Sequence, residues 1–190
     1  EIRKVTNRPI NINLWVNDRD VRLKTFNDDD YDKLTELFRP YFNELGLPIP
    51  ERPSNLGPKF EEQIEAIFES KPAVFSFVYG IPSAFILEKC KSLGILTVGA
   101  ATTVDEAIAI ENAGVDAVVA TGFEAGGHRV SFLRSAENSL TGTFSLIPQV
   151  ADSVKIPIIA AGGIADARGI RAALALGADA VQMGTAFLAT

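Results

Sequence analysis

The sequence predicts an α/β fold of the (β/α)8 TIM-barrel class, with the first two strands of the barrel lacking and a helical insertion after the first strand present. Three observations carry this expectation. Short, continuous apolar runs alternate with helical spacings from Phe60 onward, the pattern of parallel strands buried on both faces. The unit Ala113-Gly114-Val115-Asp116-Ala117-Val118 is echoed by Leu176-Gly177-Ala178-Asp179-Ala180-Val181, with the same helix stop, aspartate and strand entry. Glycines follow several of the apolar runs, at the strand ends where barrels bind ligands.

Taken in order, residues 1–8 are polar and resemble a helix end and turn. Ile10-Asn11-Ile12-Asn13-Leu14-Trp15-Val16 alternates as a strand whose asparagines share one face. That face is either a barrel interior, where an uncharged amide binds a ligand without the cost of a buried charge, or a solvated edge. Asp28-Asp29-Asp30 precedes Leu34, Leu37, Phe38, Tyr41 and Leu45, so the acidic triplet reads as a helix start rather than a metal site. Pro40 is expected to kink that helix, and Gly46 to Pro58, with four prolines, to form an irregular connector. Residues 17–57 are therefore read as an insertion or lid within a single partial barrel domain spanning 1–190.

Phe60, Ile64, Ile67 and Phe68 predict a helical face, Ala73–Phe77 a strand, and Ile86, Cys90 and Leu93 a second helical face that Gly94 ends. A strand over 95–99 leads to Thr103-Val104-Asp105-Glu106, a capping-box spacing that opens a helix closed by Gly114. Strand 116–120 enters a long loop at 122–142. A helix with Leu146, Ile147, Val150 and Val154 facing one way follows, then strand 157–161. Helix 166–176 is expected to turn Ile170, Ala173 and Leu174 inward, before strand 179–183. This gives six strands, and the two that would close the barrel are expected before Glu1, since an open barrel exposes two long edges.

A chain of 190 residues, 47% hydrophobic and 22% charged, can bury a sizeable core. Its net charge of −6 argues against nucleic acid and anionic membranes as partners, because both reward a basic face. One cysteine and one histidine exclude an internal disulfide and a Cys/His metal cage, and the lone Cys90 fits a reducing compartment, with the cytoplasm as the default. No leader opens the chain, and no apolar run approaches the length of a spanning helix.

The single histidine lies in Thr121-Gly122-Phe123-Glu124-Ala125-Gly126-Gly127-His128, just past the end of an expected strand. Further glycine-bearing ends follow at Gly162-Gly163 and Gly184-Thr185, where barrels of this class hold a phosphate on backbone N–H groups. The alternative at these positions is a set of tight turns, with Asp166 as a helix cap. No Gly-x-Gly-x-x-Gly turn for a pyrophosphate follows any strand, and no nucleophile elbow is present.

Three ordered motifs closely resemble the nitronate monooxygenase family, formerly called 2-nitropropane dioxygenases: Glu124-Ala125-Gly126-Gly127-His128, Pro157 through Ile164, and Leu176 through Leu188. These are FMN enzymes on a barrel fold, related to the flavin-dependent enoyl-acyl-carrier-protein reductases. The resemblance implies His128 as catalytic base or acid. It also implies flavin contacts at Asn13, Thr121 and Gly126, and phosphate contacts at Gly163 and along Gln182-Met183-Gly184-Thr185. The sequence departs from the family at Thr121, where glutamine is frequent, at Val130 and at Ala167, where glycines are common. The reaction implied is oxidation of alkyl nitronates, and of nitroalkanes, by O2 to carbonyl compounds and nitrite, with FMN as cofactor. Two other readings stay open: an enoyl reductase using NAD(P)H, and a phosphate-binding barrel without flavin. Oligomeric state has no signature in the sequence.

Overall fold

The computed structural model describes residues 2–16, 26–53 and 59–189, in two compact units, Glu1–Val16 with Phe60–Thr190, and Asn17–Lys59. The larger unit is a six-stranded sheet of order β1-β2-β3-β4-β5-β6, every neighbouring pair parallel. The strands are β1 Asn11–Trp15, β2 Val74–Val78, β3 Leu96–Ala101, β4 Ala117–Thr121, β5 Ile158–Ala161 and β6 Ala180–Gln182. Strictly sequential parallel order with a helix after each strand from β2 on is the (β/α)8-barrel arrangement, with six strands here.

Helices α2 Phe60–Ser70, α3 Ala84–Ser92, α4 Val104–Asn112, α5 Thr143–Ala151 and α6 Ala167–Ala175 belong to this unit, and a helical turn α7 Thr185–Leu188 follows β6. Helix α1, Asp28–Leu45, lies in the smaller unit.

Alternation along the strands sorts the core into two faces. Ile12, Leu14, Phe75, Phe77, Val118, Ala120, Ile158, Ala160 and Val181 pack with helix residues such as Ile64, Ile67, Ile110, Leu146, Ile147 and Val150. The opposite face gathers Val74, Val78, Val98, Ala100, Ala117, Val119, Ile159 and Ala161, with Val130 folded onto it from the loop after β4. These second-face side chains are small, which leaves room over the sheet.

The repeated aspartates have a shared mechanical role. Asp116, just before β4, accepts hydrogen bonds from Thr97 N (2.7 Å) and Oγ1 (2.7 Å), and Asp179, just before β6, accepts one from Ile158 N at 2.8 Å. Each carboxylate ties the entry of one strand to the start of its neighbour. Glu111 on α4 does the same for the entry to β5, accepting from Lys155 N and Ile156 N.

Several expectations are refined. The stops at Gly94, Gly114 and Gly177 have φ of +71°, +80° and +103°, the left-handed backbone a helix end asks of glycine. The face of α3 buries Leu87 with Cys90, while Ile86 and Leu93 are only partly covered. Leu174, expected inward, is 45% exposed, because Ala173 takes the inward seat of α6. Thr103 does accept from Glu106 N at 3.4 Å, but the Glu106 carboxylate does not close a capping box. It turns instead to donors on the β3 end and the loop after β4.

In the smaller unit, α1 starts at a complete capping box, Asn27 with Asp30, so the acidic triplet is a helix start. The helix continues through Pro40 to Leu45 and ends at Gly46, φ +65°. Arg52 pairs with Asp28 and donates to Phe26 O at 2.9 Å, folding the following segment back on the helix start. Of the expected insertion and connector, 17–25 and 54–58 lie outside the described residues.

Candidate active site

A cavity of about 350 Å³ opens at the carboxyl ends of the strands. Its floor is the small second face, including Val98, Ala100, Val119 and Ala161, and its polar rim carries Asn13, Ser76, Thr121, Gly126, His128 and Gln182. Five of the residues expected at the site, Asn13, Thr121, Gly126, His128 and Gln182, thus meet around one space. Asn11 and Asn13 both donate their side-chain amides to Ser76 Oγ at 2.9 Å, which uses both lone pairs of the hydroxyl and fixes the two amides on the same face.

Gly163, Met183, Gly184 and Thr185 do not line this cavity but adjoin it at the ends of β5 and β6. A Cβ on Gly126 would stand 3.0 Å from Thr185 Oγ1, and one on Gly163 would stand 3.4 Å from Glu124 Cβ. The ends of β4, β5 and β6 therefore converge on the Glu124–Gly126 turn. The start of α6 is already occupied, since Asp166 Oδ1 accepts from Arg168 N (2.9 Å) and Gly169 N (3.2 Å). The Arg168 guanidinium holds the Asp166 carboxyl below its ordinary range, with the two backbone N–H groups adding to the effect. Any phosphate here depends on the glycine turns rather than on that helix start.

Glu124 itself caps α5, accepting from Thr143 N at 3.0 and 2.8 Å through its two oxygens. Burial alone would raise its pKa, but the hydrogen bonds from its own backbone N–H and from Thr143 outweigh that and leave the carboxyl lowered. The packing behind this turn is tight. A Cβ on Gly122 would fall onto Thr143 Oγ1 and come within 2.5 Å of Thr143 N, and one on Gly162, φ +114°, would come 2.7 Å from Thr143 Oγ1.

His128 follows Gly127, φ +88°, and its imidazole stands at a steep angle to two aromatic rings. Trp15 is 5.1 Å away between centroids at 70°, and Tyr79 6.4 Å at 74°. Trp15 and Tyr79 touch each other at 5.3 Å. Tyr79 has φ of +66°, a sparsely populated backbone state for a bulky residue, of a kind that clusters at functional sites. Burial raises the pKa of its phenol. Neither aromatic was expected at the site. The signals were present, since Trp15 shares the alternation of Asn11 and Asn13, and Tyr79-Gly80 directly ends a strand. Also unforeseen were Glu106, fully buried, and Arg129, whose guanidinium reaches the β3 and β4 ends.

A sequential parallel βα sheet, a small-residue floor and one imidazole over glycine-bearing strand ends define a (β/α)8-barrel protein with a cavity on its carboxyl rim. The family model described as Nitronate monooxygenase matches residues 1–190, and the chain belongs to that family. It is 44% identical to a "Probable nitronate monooxygenase" of Staphylococcus haemolyticus (strain JCSC1435), over 100% of this chain and 54% of that protein. A protein of the same name in Staphylococcus aureus (strain MSSA476) is 42% identical over 98% of this chain and 52% of its own length. The chain thus spans about half the length of the curated relatives it matches.

Among solved structures, a nitroalkane oxidase from Streptomyces ansochromogenes superposes with a TM-score of 0.84 at 33% identity, covering 99% of this chain and 53% of that one. FabK from Thermotoga maritima gives 0.69 at 31% identity, covering 100% and 45%. An N-acetylmannosamine-6-phosphate 2-epimerase from Clostridium perfringens, 18% identical with a TM-score of 0.53 over 93% of this chain and 72% of that one, shares the fold alone.

Proposed function

We propose that the protein binds FMN at the carboxyl rim of its sheet and oxidises alkyl nitronates, and nitroalkanes after deprotonation, with O2 to carbonyl compounds and nitrite. The observation that carries this reading is the imidazole of His128 on the rim of a cavity with an apolar small-residue floor and uncharged amide donors. Such a floor suits a flat heteroaromatic ring, and Asn13, Thr121 and Gln182 offer hydrogen bonds without a competing fixed charge. The turns at Gly163 and Gly184-Thr185, beside the same cavity, suit one terminal phosphate, so FMN fits better than a dinucleotide.

FMN, when bound, supplies a two-electron acceptor that can pass electrons to O2. The chain's own residues orient the reactants and move a proton. His128 takes a proton from the carbon beside the nitro group of a neutral nitroalkane, and for a preformed nitronate it only steadies the anion. Trp15 and Tyr79 place aromatic rings against the imidazole, which favours a small organic substrate over a hydrated ion. The likeness to the nitroalkane oxidase is stronger than that to FabK, 0.84 against 0.69 in TM-score, and favours oxidation over enoyl reduction.

Acid extraction and mass analysis of the purified holoprotein tests the cofactor. FMN is expected, and FAD would overturn the single-phosphate reading. Mixing the protein anaerobically with NADH separates the two reactions, because rapid bleaching of the flavin would contradict the oxidase reading.

A further inference from the structure

We propose that Arg129 and Glu106 are positioning residues for His128, a pair that holds the imidazole at the cavity rim by fixing the backbone that follows it. The proposal rests on the function given above, with His128 as the proton-transfer group. Among the described residues the imidazole has ring contacts with Trp15 and Tyr79 and no hydrogen-bond partner. A catalytic histidine is usually oriented by an acceptor on its second nitrogen. Here its place must come from the loop itself.

The loop after β4 is long, and ordering it costs conformational entropy that tie points must offset. Arg129, the residue next to His128, donates from Nη1 to Thr121 O (2.7 Å), from Nη2 to Thr102 O (3.1 Å) and from Nε to Ser139 O (2.8 Å). One guanidinium thus joins the end of β3, the end of β4 and the far limb of the loop. Burial lowers the proton affinity of that guanidinium, and the charges of Glu106 and Glu124 oppose the effect.

Glu106 is fully buried and accepts four hydrogen bonds. Its Oε2 takes Thr102 N (2.7 Å) and Thr102 Oγ1 (2.6 Å), and its Oε1 takes Phe132 N (2.6 Å) and Leu133 N (3.0 Å). Thr102 is shared by the two devices, giving its N–H and hydroxyl to Glu106 and its carbonyl to Arg129. Residues 129, 132 and 133 are therefore pinned directly after His128. Buried charges of this kind contribute little net stability, and the role assigned to them here is to select one conformation of the loop. A base that must stand at one distance from a carbon acid has use for that selection, because a displacement of about 1 Å can cost roughly 100-fold in rate.

The test uses full-length holoprotein and the variants Arg129→Lys, Glu106→Gln and, for reference, His128→Asn. An ammonium keeps the charge but gathers its donors on one nitrogen and cannot reproduce the planar fork whose Nε, Nη1 and Nη2 each reach a separate carbonyl, while Glu106→Gln turns an NH2 group toward donors that need an acceptor. Flavin per chain is read by absorbance, and kcat and KM are compared for a neutral nitroalkane and its preformed nitronate. Tryptophan emission is followed against pH, since a protonated imidazole quenches an adjacent indole. Subtracting the His128→Asn profile isolates the Trp15 signal from any other tryptophan.

Arg129→Lys is expected to keep its flavin and to lose about 10- to 100-fold in kcat on the neutral nitroalkane. KM and nitronate turnover should change by less than about 3-fold, and the Trp15 quenching step should shrink. Glu106→Gln should give the same pattern, and decides the matter if Arg129→Lys fails to fold. An unchanged kcat with an undiminished quenching step would overturn the proposal. So would parallel loss of flavin and of both activities, the mark of a purely structural network. If His128→Asn itself keeps full nitroalkane turnover, the base reading fails separately. The quenching step then decides alone, a smaller step upholding the positioning role and an unchanged one overturning it.

Discussion

At the scale of single residues, the loop after β4 presents the imidazole of His128 at the cavity rim and turns the carboxylate of Glu124 to the start of α5. His128→Asn is expected to retain fold and flavin, because the side chain lies on an exposed loop with ring contacts only. Turnover of a neutral nitroalkane should drop by roughly 10²- to 10⁴-fold, the usual worth of a positioned acid or base, while a preformed nitronate should lose much less. Steady-state rates on the two substrates read the contrast, and equal losses would assign His128 an electrostatic role. Glu124 acts through the start of α5. Its folded carboxyl holds a proton more weakly than the unfolded one, so the native state binds fewer protons. Its contribution is complete above the ordinary glutamate pKa of about 4.3 and fades as pH falls through the lower folded value. Glu124→Gln should cost about 1 kcal/mol at neutral pH as a weakened cap, and the difference from the parent should vanish in acid unfolding curves. His128, Gly126 and Asn13 were legible as candidate positions from their places on or just past the expected strands, and they do meet around one cavity. Trp15 and Tyr79 were not, since an aromatic at a strand end reads as core until the strand register shows which face it takes.

At the scale of elements, the strand ends of β4 and β5 are built around the start of α5. Gly122 and Gly162 both lie where a side chain would strike Thr143, and in the first case the obstacle includes a backbone nitrogen that cannot swing aside. Gly122→Ala should therefore destabilise by about 1 to 3 kcal/mol, the typical cost of overpacking. Thermal unfolding measures it, and an unaltered midpoint would mean that α5 can shift freely. All six strands and the helices from α2 to α6 were readable from periodicity and glycine stops, which report burial and backbone sign. The role of Glu106 was hidden, because Thr-x-x-Glu before an apolar run is the signature of a capping box and only the fold of the 122–142 loop brings better donors to the carboxylate. Leu174 misled for a related reason. Helical spacing fixes which residues share a face, whereas the seat against the sheet went to the smaller Ala173.

At the scale of the molecule, the two rims of the sheet carry different duties. The rim at the strand starts is laced by Asp116, Asp179 and Glu111 to backbone N–H groups, and the rim at the strand ends carries the cavity, the glycine turns and His128. This division lets the loops at the ends vary while the entries hold the register. The fold class was visible in the repeated βα units, and the family in three ordered motifs. The meaning of the Gly-Val-Asp-Ala-Val and Gly-Ala-Asp-Ala-Val repeat was not, because a carboxylate that binds a neighbouring strand looks in sequence like any turn aspartate. Among the described residues no helix is long and apolar enough to cross a membrane. The central claim is oxidation of a nitronate by O2, and the most direct measurement is oxygen uptake with nitrite release when preformed alkyl nitronate is added to the air-equilibrated holoprotein. Oxygen consumption accompanied by nitrite, without any nicotinamide, is the predicted result. No oxygen uptake with the nitronate, alongside NADH oxidation that depends on an enoyl thioester, would contradict it.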